Sequence, residues 1–380
     1  MNLIALLLAI AGIVELTGPG GRQASLNQIT DRADGTGQFL ELAIYPSVGV
    51  SGFSKVQLWT SKRDAGKYTR VKLQEKELQI PDASRIAREL YEFPYPAVTS
   101  QNYALGENRV AILCGTTDLT IRMLNVQALS VGAAISLPAL ARNIALRPGA
   151  GELWATHAGG SNQISVTDLN SPRLAAGIPL RLSPQAVPVA LLFSSSGHTA
   201  FAVVRNPDST TDRGYVFVID AVARQIRSQV SLGTNVPQTA ALAPDGATVY
   251  VAGTSLNELN TPEPSIVYFD TASNSFSVAA SGLPVVADQL SVHPNGTRLY
   301  WLATPTATLD EYDVQGRRVV RRIALPRPIQ PQGIEITPNG DILFVRDGAG
   351  QAALHIDSSS GEILDTQIIP AGPGASLFRP

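Results

Sequence analysis

Thr239-Ala-Ala-Leu-Ala-Pro-Asp-Gly-Ala-Thr-Val-Tyr-Val-Ala-Gly253 decides the fold of this chain. It reads as two apolar strands joined by a tight Pro-Asp-Gly turn, whose glycine supplies the positive φ that a short hairpin connection needs. Pro294-Asn-Gly-Thr-Arg-Leu-Tyr-Trp301 and Pro338-Asn-Gly-Asp-Ile-Leu-Phe-Val345 repeat it closely. Ser195-Ser-Gly-His-Thr-Ala-Phe-Ala202 keeps the glycine, and Pro148-Gly-Ala-Gly-Glu-Leu-Trp-Ala155 keeps the proline and the aromatic. The aromatic column Trp154, Phe201, Tyr250, Tyr300, Phe344 advances in steps of 47, 49, 50 and 44 residues. A period of that length, holding four strands, is the signature of propeller blades.

Each copy continues in the same way. After a loop comes an apolar strand that ends in Asp: Ile164-Ser-Val-Thr-Asp168, Val216-Phe-Val-Ile-Asp220, Ile266-Val-Tyr-Phe-Asp270 and Leu354-His-Ile-Asp357. Asp313 and Asn125 fill the same column. A carboxylate there can accept the backbone N–H groups two residues on and start the next turn. One more strand follows, as in Gln225-Ile-Arg-Ser-Gln-Val-Ser-Leu232. A single unit cannot bury both faces of its sheet, so the units must stack.

This repeat resembles the YVTN, or lactonase-like, family of bacterial β-propellers, within the wider superfamily that includes WD40 repeats. Tyr250-Val-Ala-Gly253 stands where the family's name motif falls, and the resemblance covers roughly residues 95–372. It implies the fold and leaves the function open, because the family includes enzymes, binding proteins and surface proteins.

The fold expected is an all-β propeller, most simply of seven four-stranded blades. Six clear units start near Tyr95, Ala139, Ser183, Thr234, Leu283 and Arg327, and residues 38–94 are read as a degenerate first blade. Six or eight blades are the alternatives for the ring, and a small hairpin domain or an Ig-like fragment for the first unit. Within 38–94, Phe39–Tyr45, Lys55–Thr60 and Tyr68–Leu73 alternate as half-buried strands do, and Asp82–Glu92 has the spacing of a short helix capped by Asp82. Residues 24–380 form one domain on this reading. A strand from 24–45 is expected to close the ring by pairing within the last blade, near Ile363–Ile369.

Residues 1–23 read as a signal-peptide-like apolar segment and linker, since Leu3–Val14 has the length of a signal-peptide core and Thr17–Gly37 is Gly-rich and polar. The expectation is a secreted or periplasmic protein of the cell envelope, with no integral membrane span. A membrane-held terminus and a cytosolic apolar start are the alternatives. The chain has 380 residues and a formal net charge of −2, which makes no electrostatic case for nucleic acid. Its one cysteine, Cys114, rules out an intramolecular disulfide and reads as a small buried hydrophobe. A monomer without a cofactor is expected.

If the strands of a unit are lettered a to d from the innermost outward, the a–b and c–d turns share one face of the ring and the b–c loops the other. Two b–c loops are long, Arg205–Gly214 and Thr254–Ser265, and function sits on variable loops held by a rigid scaffold. Near the start of strand a, on that face, stand Thr99, Arg142, Val189, Gln238, Asp288 and Gln332. Thr99, Arg142, Gln238, Asp288 and Gln332 are the candidate ligand-binding residues, able to orient a polar ligand at the channel mouth or simply to solvate it.

Catalytic and metal signals are thin. His157 is the one histidine expected in a b–c loop, while His198 and His293 fall at a–b turns and His355 in a strand. Asp208 and Asp212 share a loop and could hold Ca²⁺ with carbonyl help, a solvated loop being the leading reading, and no motif spacing for a metal appears. No Gly-x-Ser-x-Gly elbow exists. The leading reading is therefore a binding scaffold that presents its b–c loops to a protein, peptide or glycan. The alternative is a lactonase-like or lyase-like enzyme acting on a small polar substrate, with Arg142 for an anionic group, Asp288 or His157 as base, and Gln238 and Gln332 for orientation.

Overall fold

The computed structural model of the chain describes residues 13–14, 22–27, 38–46, 53–64, 67–79, 109–114, 120–125, 128–139, 141–157, 162–171, 173–326, 331–336, 340–347 and 352–368. They form seven antiparallel meanders. The first holds β1 (Ile13–Val14), β2 (Arg22–Asn27), β3 (Gln38–Pro46), β4 (Ser54–Asp64) and β5 (Lys67–Leu78). The second holds β6 (Arg109–Cys114), β7 (Thr120–Asn125) and β8 (Ser130–Ser136).

Five four-stranded sheets follow. They are β9 (Ala141–Arg147), β10 (Glu152–His157), β11 (Gln163–Asp168) and β12 (Arg173–Pro179); then β13 (Val187–Phe193), β14 (Thr199–Arg205), β15 (Gly214–Asp220) and β16 (Gln225–Ser231). The third is β17 (Val236–Leu242), β18 (Thr248–Leu256), β19 (Pro262–Asp270) and β20 (Ser275–Ala280). The last two are β21 (Gln289–Val292), β22 (Arg298–Ala303), β23 (Thr308–Asp313) and β24 (Arg318–Ala324), and β25 (Pro331–Ile336), β26 (Ile342–Asp347), β27 (Ala352–Asp357) and β28 (Ile363–Ile368).

The repeat explains the packing. Middle strands are buried on both faces, as in β10 and β14, while outer strands such as β12 and β20 are mostly exposed. Successive sheets bury their faces on each other. Trp154 and Ile164 pack with Leu191, Ala202 and Phe217 of the next sheet, Phe201 and Val203 with Leu242 and Val251 of the one after, and Tyr300 and Leu309 with Ile334 and Leu343. Trp154 meets the Phe193 ring edge-on, with centroids 5.2 Å apart. The innermost strands stand side by side in chain order: β9 against β13, then β17, β21 and β25. This is a propeller-like arrangement, in which faces stack and first strands converge.

Turn chemistry follows the repeat. Gly197, Gly246, Gly296 and Gly340 sit in the a–b turns at φ between +68° and +82°. In the c–d turns, Oδ1 of Asp220, Asp270, Asp313 and Asp357 accepts the N–H groups two and three residues on. Asp168 does the same for Asn170 and Ser171. Four residues after the column, the backbone turns left-handed at Leu129, Arg224, Asn274, Arg317 and Gly361. Only two of those five are residue types that announce such a turn.

Four expectations need correction. The linker over 17–37 contains β2, which pairs with β3 in a register that places Leu26 opposite Leu40. The strand expected to close the last unit does not do so: β2 and β3 pair with each other and β3 with β4, while the last sheet holds four strands of its own. A local meander forms with a shorter loop to close than a pairing across the whole chain. The Thr254–Ser265 loop is mostly strand, for β18 and β19 run on as a hairpin to Leu256 and Pro262 and leave residues 257–261 as its tip. His157 ends β10 and is fully buried, so it is no exposed loop histidine. The helix expected over Asp82–Glu92 lies outside the described residues. No helix among those described is long and apolar enough to cross a membrane.

Candidate functional site

The innermost strands share a defect near their b–c end. In β9 the register passes from Asn143 to Ala141 and skips Arg142. In β13 it skips Val189, in β17 Gln238 and in β25 Gln332. Asp288, just before β21, donates its N–H to the Leu302 carbonyl, the residue that Gln289 also faces. Each skipped residue is the extra residue of a β-bulge. Such bulges re-aim a side chain and recur at barrel rims and next to active sites.

Four of the positions chosen from spacing, Arg142, Val189, Gln238 and Gln332, are thus bulge positions, and Asp288 stands at the matching place just before β21. Their chemistry differs from sheet to sheet: a guanidinium, an isopropyl, two amides and a carboxylate. The a–b turn glycines and the c–d aspartates of the last five sheets do the opposite and keep one residue type. Gln238 is exposed, Arg142 and Asp288 are half-buried and Val189 is buried. Thr99 lies outside the described residues. Pro188, Pro237 and Pro331 directly precede three of the bulge residues, and a residue without an N–H is at home where a ladder is interrupted. That proline is the sequence signal the spacing argument did not use.

Glycines let the chain approach closely here. A methyl at Gly214 would meet Pro237 Cδ at 2.6 Å and the Asn235 carbonyl at 2.7 Å; at Gly253 it would meet the Val236 carbonyl at 2.2 Å. The segment leading to Gln238 is therefore clamped between β15 and β18. Asn235 Nδ2 donates to Ser255 Oγ at 2.9 Å and Ser265 Oγ at 3.3 Å, which ties the same segment to the β18–β19 hairpin. Four side-chain atoms at this end are buried without a protein hydrogen-bond partner: Asn143 Oδ1, Asn206 Oδ1, Asn235 Oδ1 and Thr239 Oγ1. Asn143 and Thr239 directly follow the bulge residues Arg142 and Gln238. Buried polar atoms of this kind are where ordered water or a ligand's polar atoms are normally held.

The 206–213 loop folds on its own polar groups. Asp212 Oδ1 accepts Ser231 Oγ–H at 2.6 Å, Ser209 Oγ accepts the Asp212 N–H at 2.8 Å, and Asn206 Nδ2 donates to the Asp212 carbonyl at 3.1 Å. Burial and then the Asp212 charge push the Tyr215 hydroxyl above its ordinary pKa. Asp212 is thus a structural acceptor, and among the described residues no three His, Cys, Asp or Glu side chains gather to hold a metal.

His157 Nε2 lies 2.7 Å from Ser165 Oγ, both fully buried between β10 and β11. Beside them Thr156 Oγ1 accepts both the N–H and the side-chain amide of Asn143. This is a polar knot inside a sheet, and a base so enclosed cannot reach a substrate at the mouth.

No protein-family model and no curated protein matches the chain. Among solved structures it is similar to a chain of hydrazine synthase from Kuenenia stuttgartiensis, with a TM-score of 0.59 and 13% identity, covering 95% of this chain and 97% of that one. The architecture is propeller-like. A likeness at that identity concerns the fold alone, because unrelated functions share such scaffolds.

Proposed function

We propose that this chain is a seven-bladed propeller of the YVTN, lactonase-like kind, exported to the cell envelope, which works as a binding module through its b–c face. The bulge column carries the reading. One backbone device recurs in four of the innermost strands and carries an arginine, a valine and two glutamines, a variety expected where a surface selects a partner rather than where a repeat maintains itself. The two long b–c connections rise from the same end. Support for the ring comes from the first meander, which has the propeller order of strands and a register break between its last two, as the later sheets do.

The test is a thermal-shift screen of the full chain against short peptides, glycans, organic acids and lactones. A ligand at a hundredfold excess over its Kd stabilises the folded state by about 2.7 kcal/mol. The expected result is a shift with a peptide or glycan that Arg142→Ala, Gln238→Ala or Asp288→Ala removes, with the ligand-free melt unchanged. A flat response in every class would sink it.

A second reading rests on the opposite charges of Arg142 and Asp288 within one column. It is an enzyme that holds an anionic group on Arg142 and uses Asp288 as base. It requires product formation from a lactone or organic acid, lost in Asp288→Ala, and has no use for His157.

A further inference from the structure

The β18–β19 hairpin extends beyond the b–c ends of its neighbours and carries Leu259 at its tip, 84% exposed. A singly exposed leucine on a mobile loop is ordinary. This one is held out. Asn257 Oδ1 accepts the N–H groups of Leu259 at 3.0 Å and Thr261 at 2.9 Å. The Asn257 N–H bonds the Thr261 carbonyl, the Asn260 N–H bonds the Asn257 carbonyl, and Asn260 takes φ +58°. At the foot, Leu256 N–H bonds Thr234 Oγ1, Leu283 N–H bonds the Pro264 carbonyl, and Asn235 holds Ser255 and Ser265. Pro262 and Pro264 stiffen the returning strand. These bonds set the tip in a conformation that points its leucine outward.

The tip itself carries one sign of charge. Between Arg227 and Arg298 the chain has no Lys or Arg; of its carboxylates, Glu258, Glu263 and Asp288 stand at the b–c end, while Asp245 and Asp270 belong to the turns of the opposite face. Glu258 and Glu263 flank the tip itself. The neighbouring Arg205–Gly214 connection is balanced, with Asp208 and Asp212 against Arg205 and Arg213.

We propose that this hairpin is a preformed docking finger, and that its partner is a protein with an apolar pocket bordered by lysine or arginine side chains. The proposal rests on the b–c face being the binding face and names what that face binds. A rigid apolar anchor loses little freedom on docking, and a single-sign rim selects a partner of opposite sign and speeds its approach. An anionic membrane surface is repelled by the same glutamates.

The experiment places a photo-reactive leucine analogue at position 259 of the full chain, with position 222 as control, since Val222 is also exposed (61%). The species crosslinked from source-cell extract at 259 alone is identified, purified and titrated. The expected result is a basic protein whose Kd rises roughly tenfold for Leu259→Ala, the loss of one buried aliphatic side chain. Glu258→Lys with Glu263→Lys weakens it further, added salt weakens the wild type, and Asp245→Lys leaves binding unchanged. A partner that binds Leu259→Ala as tightly as the wild type overturns the finger, as does a crosslink only to lipid or to a second copy of the chain. If Gln238→Ala abolishes binding while Leu259→Ala does not, the face reading stands and the finger fails. Indifference to both removes both. Leu259→Ala should melt like the wild type, because the side chain touches solvent.

Discussion

A methyl group at Gly253 would meet the Val236 carbonyl oxygen at 2.2 Å, whereas at Gly296 it would meet nothing within 4 Å. Gly253→Ala must therefore move backbone and should cost about 3 kcal/mol. Gly296→Ala costs only its left-handed φ of +74°, about 1 kcal/mol. Urea titrations of the two variants would show the difference. Arg317 is the converse case, an exposed side chain on a left-handed residue at φ +49° where the last sheet has Gly361. Arg317→Gly should raise stability by about 0.5–1 kcal/mol. The Asp column sets the acid limit. Backbone N–H donors, with Ser273 and Arg227 adding side-chain donors, hold Asp270 and Asp220 below the ordinary carboxylate range. Their folded pKa lies under the unfolded value near 3.9, so their stabilisation is complete above about pH 4 and is lost as pH falls through the folded pKa. Asp270→Asn keeps an acceptor without the titration, so its Tm should fall less steeply below pH 4 than the wild type's.

Between elements, carboxylate–guanidinium clusters on the turn face tie adjacent sheets together. Glu152 accepts Arg224 Nη2 at 2.7 Å from the next sheet, Trp154 Nε1 at 2.9 Å and Arg147 Nη1 at 3.2 Å. Burial alone would raise the Glu152 pKa, but the three donors outweigh it and hold the carboxyl down. Glu152→Ala leaves the Trp154 indole N–H and one arm of each guanidinium without its acceptor and should cost about 3 kcal/mol, measurable by thermal or urea unfolding. Glu311 plays the same part with Arg298 and Arg321, and Arg321 reaches the Ser359 carbonyl of the following sheet. The strand order, the a–b turns and the Asp caps were legible in sequence because each depends on residues two to five apart. These clamps were not, since Arg224 lies 72 residues from its carboxylate. The mouth positions were legible by spacing, and their prolines mark three of them, but that they bulge depends on the pairing of two strands. His157 misled because its neighbours Ala-Gly-Gly read as loop while its own side chain turns inward to Ser165.

At the scale of the molecule, the proposed ring makes the first meander a structural member rather than an appendage. A chain lacking residues 1–79 should then lose its single cooperative melt and bind a hydrophobic dye, because two sheet faces are left uncovered. An unchanged melt would make the first meander a separate unit. The charge asymmetry is also a property of the whole. A chain of net charge −2 offers no electrostatic argument until the cations are seen to be missing from one sheet and its loops. What the sequence determined by itself is the meander, its period, its turns and its stacked faces, because each follows from local hydrogen bonding and alternation within one unit. Only the tertiary structure decided which innermost residues are re-aimed, that the long b–c connection is a stiff finger with Leu259 outside, and that His157 is enclosed. Those outcomes turn on register between strands and on contacts between units, where a shift of one residue carries a side chain from the interior to solvent.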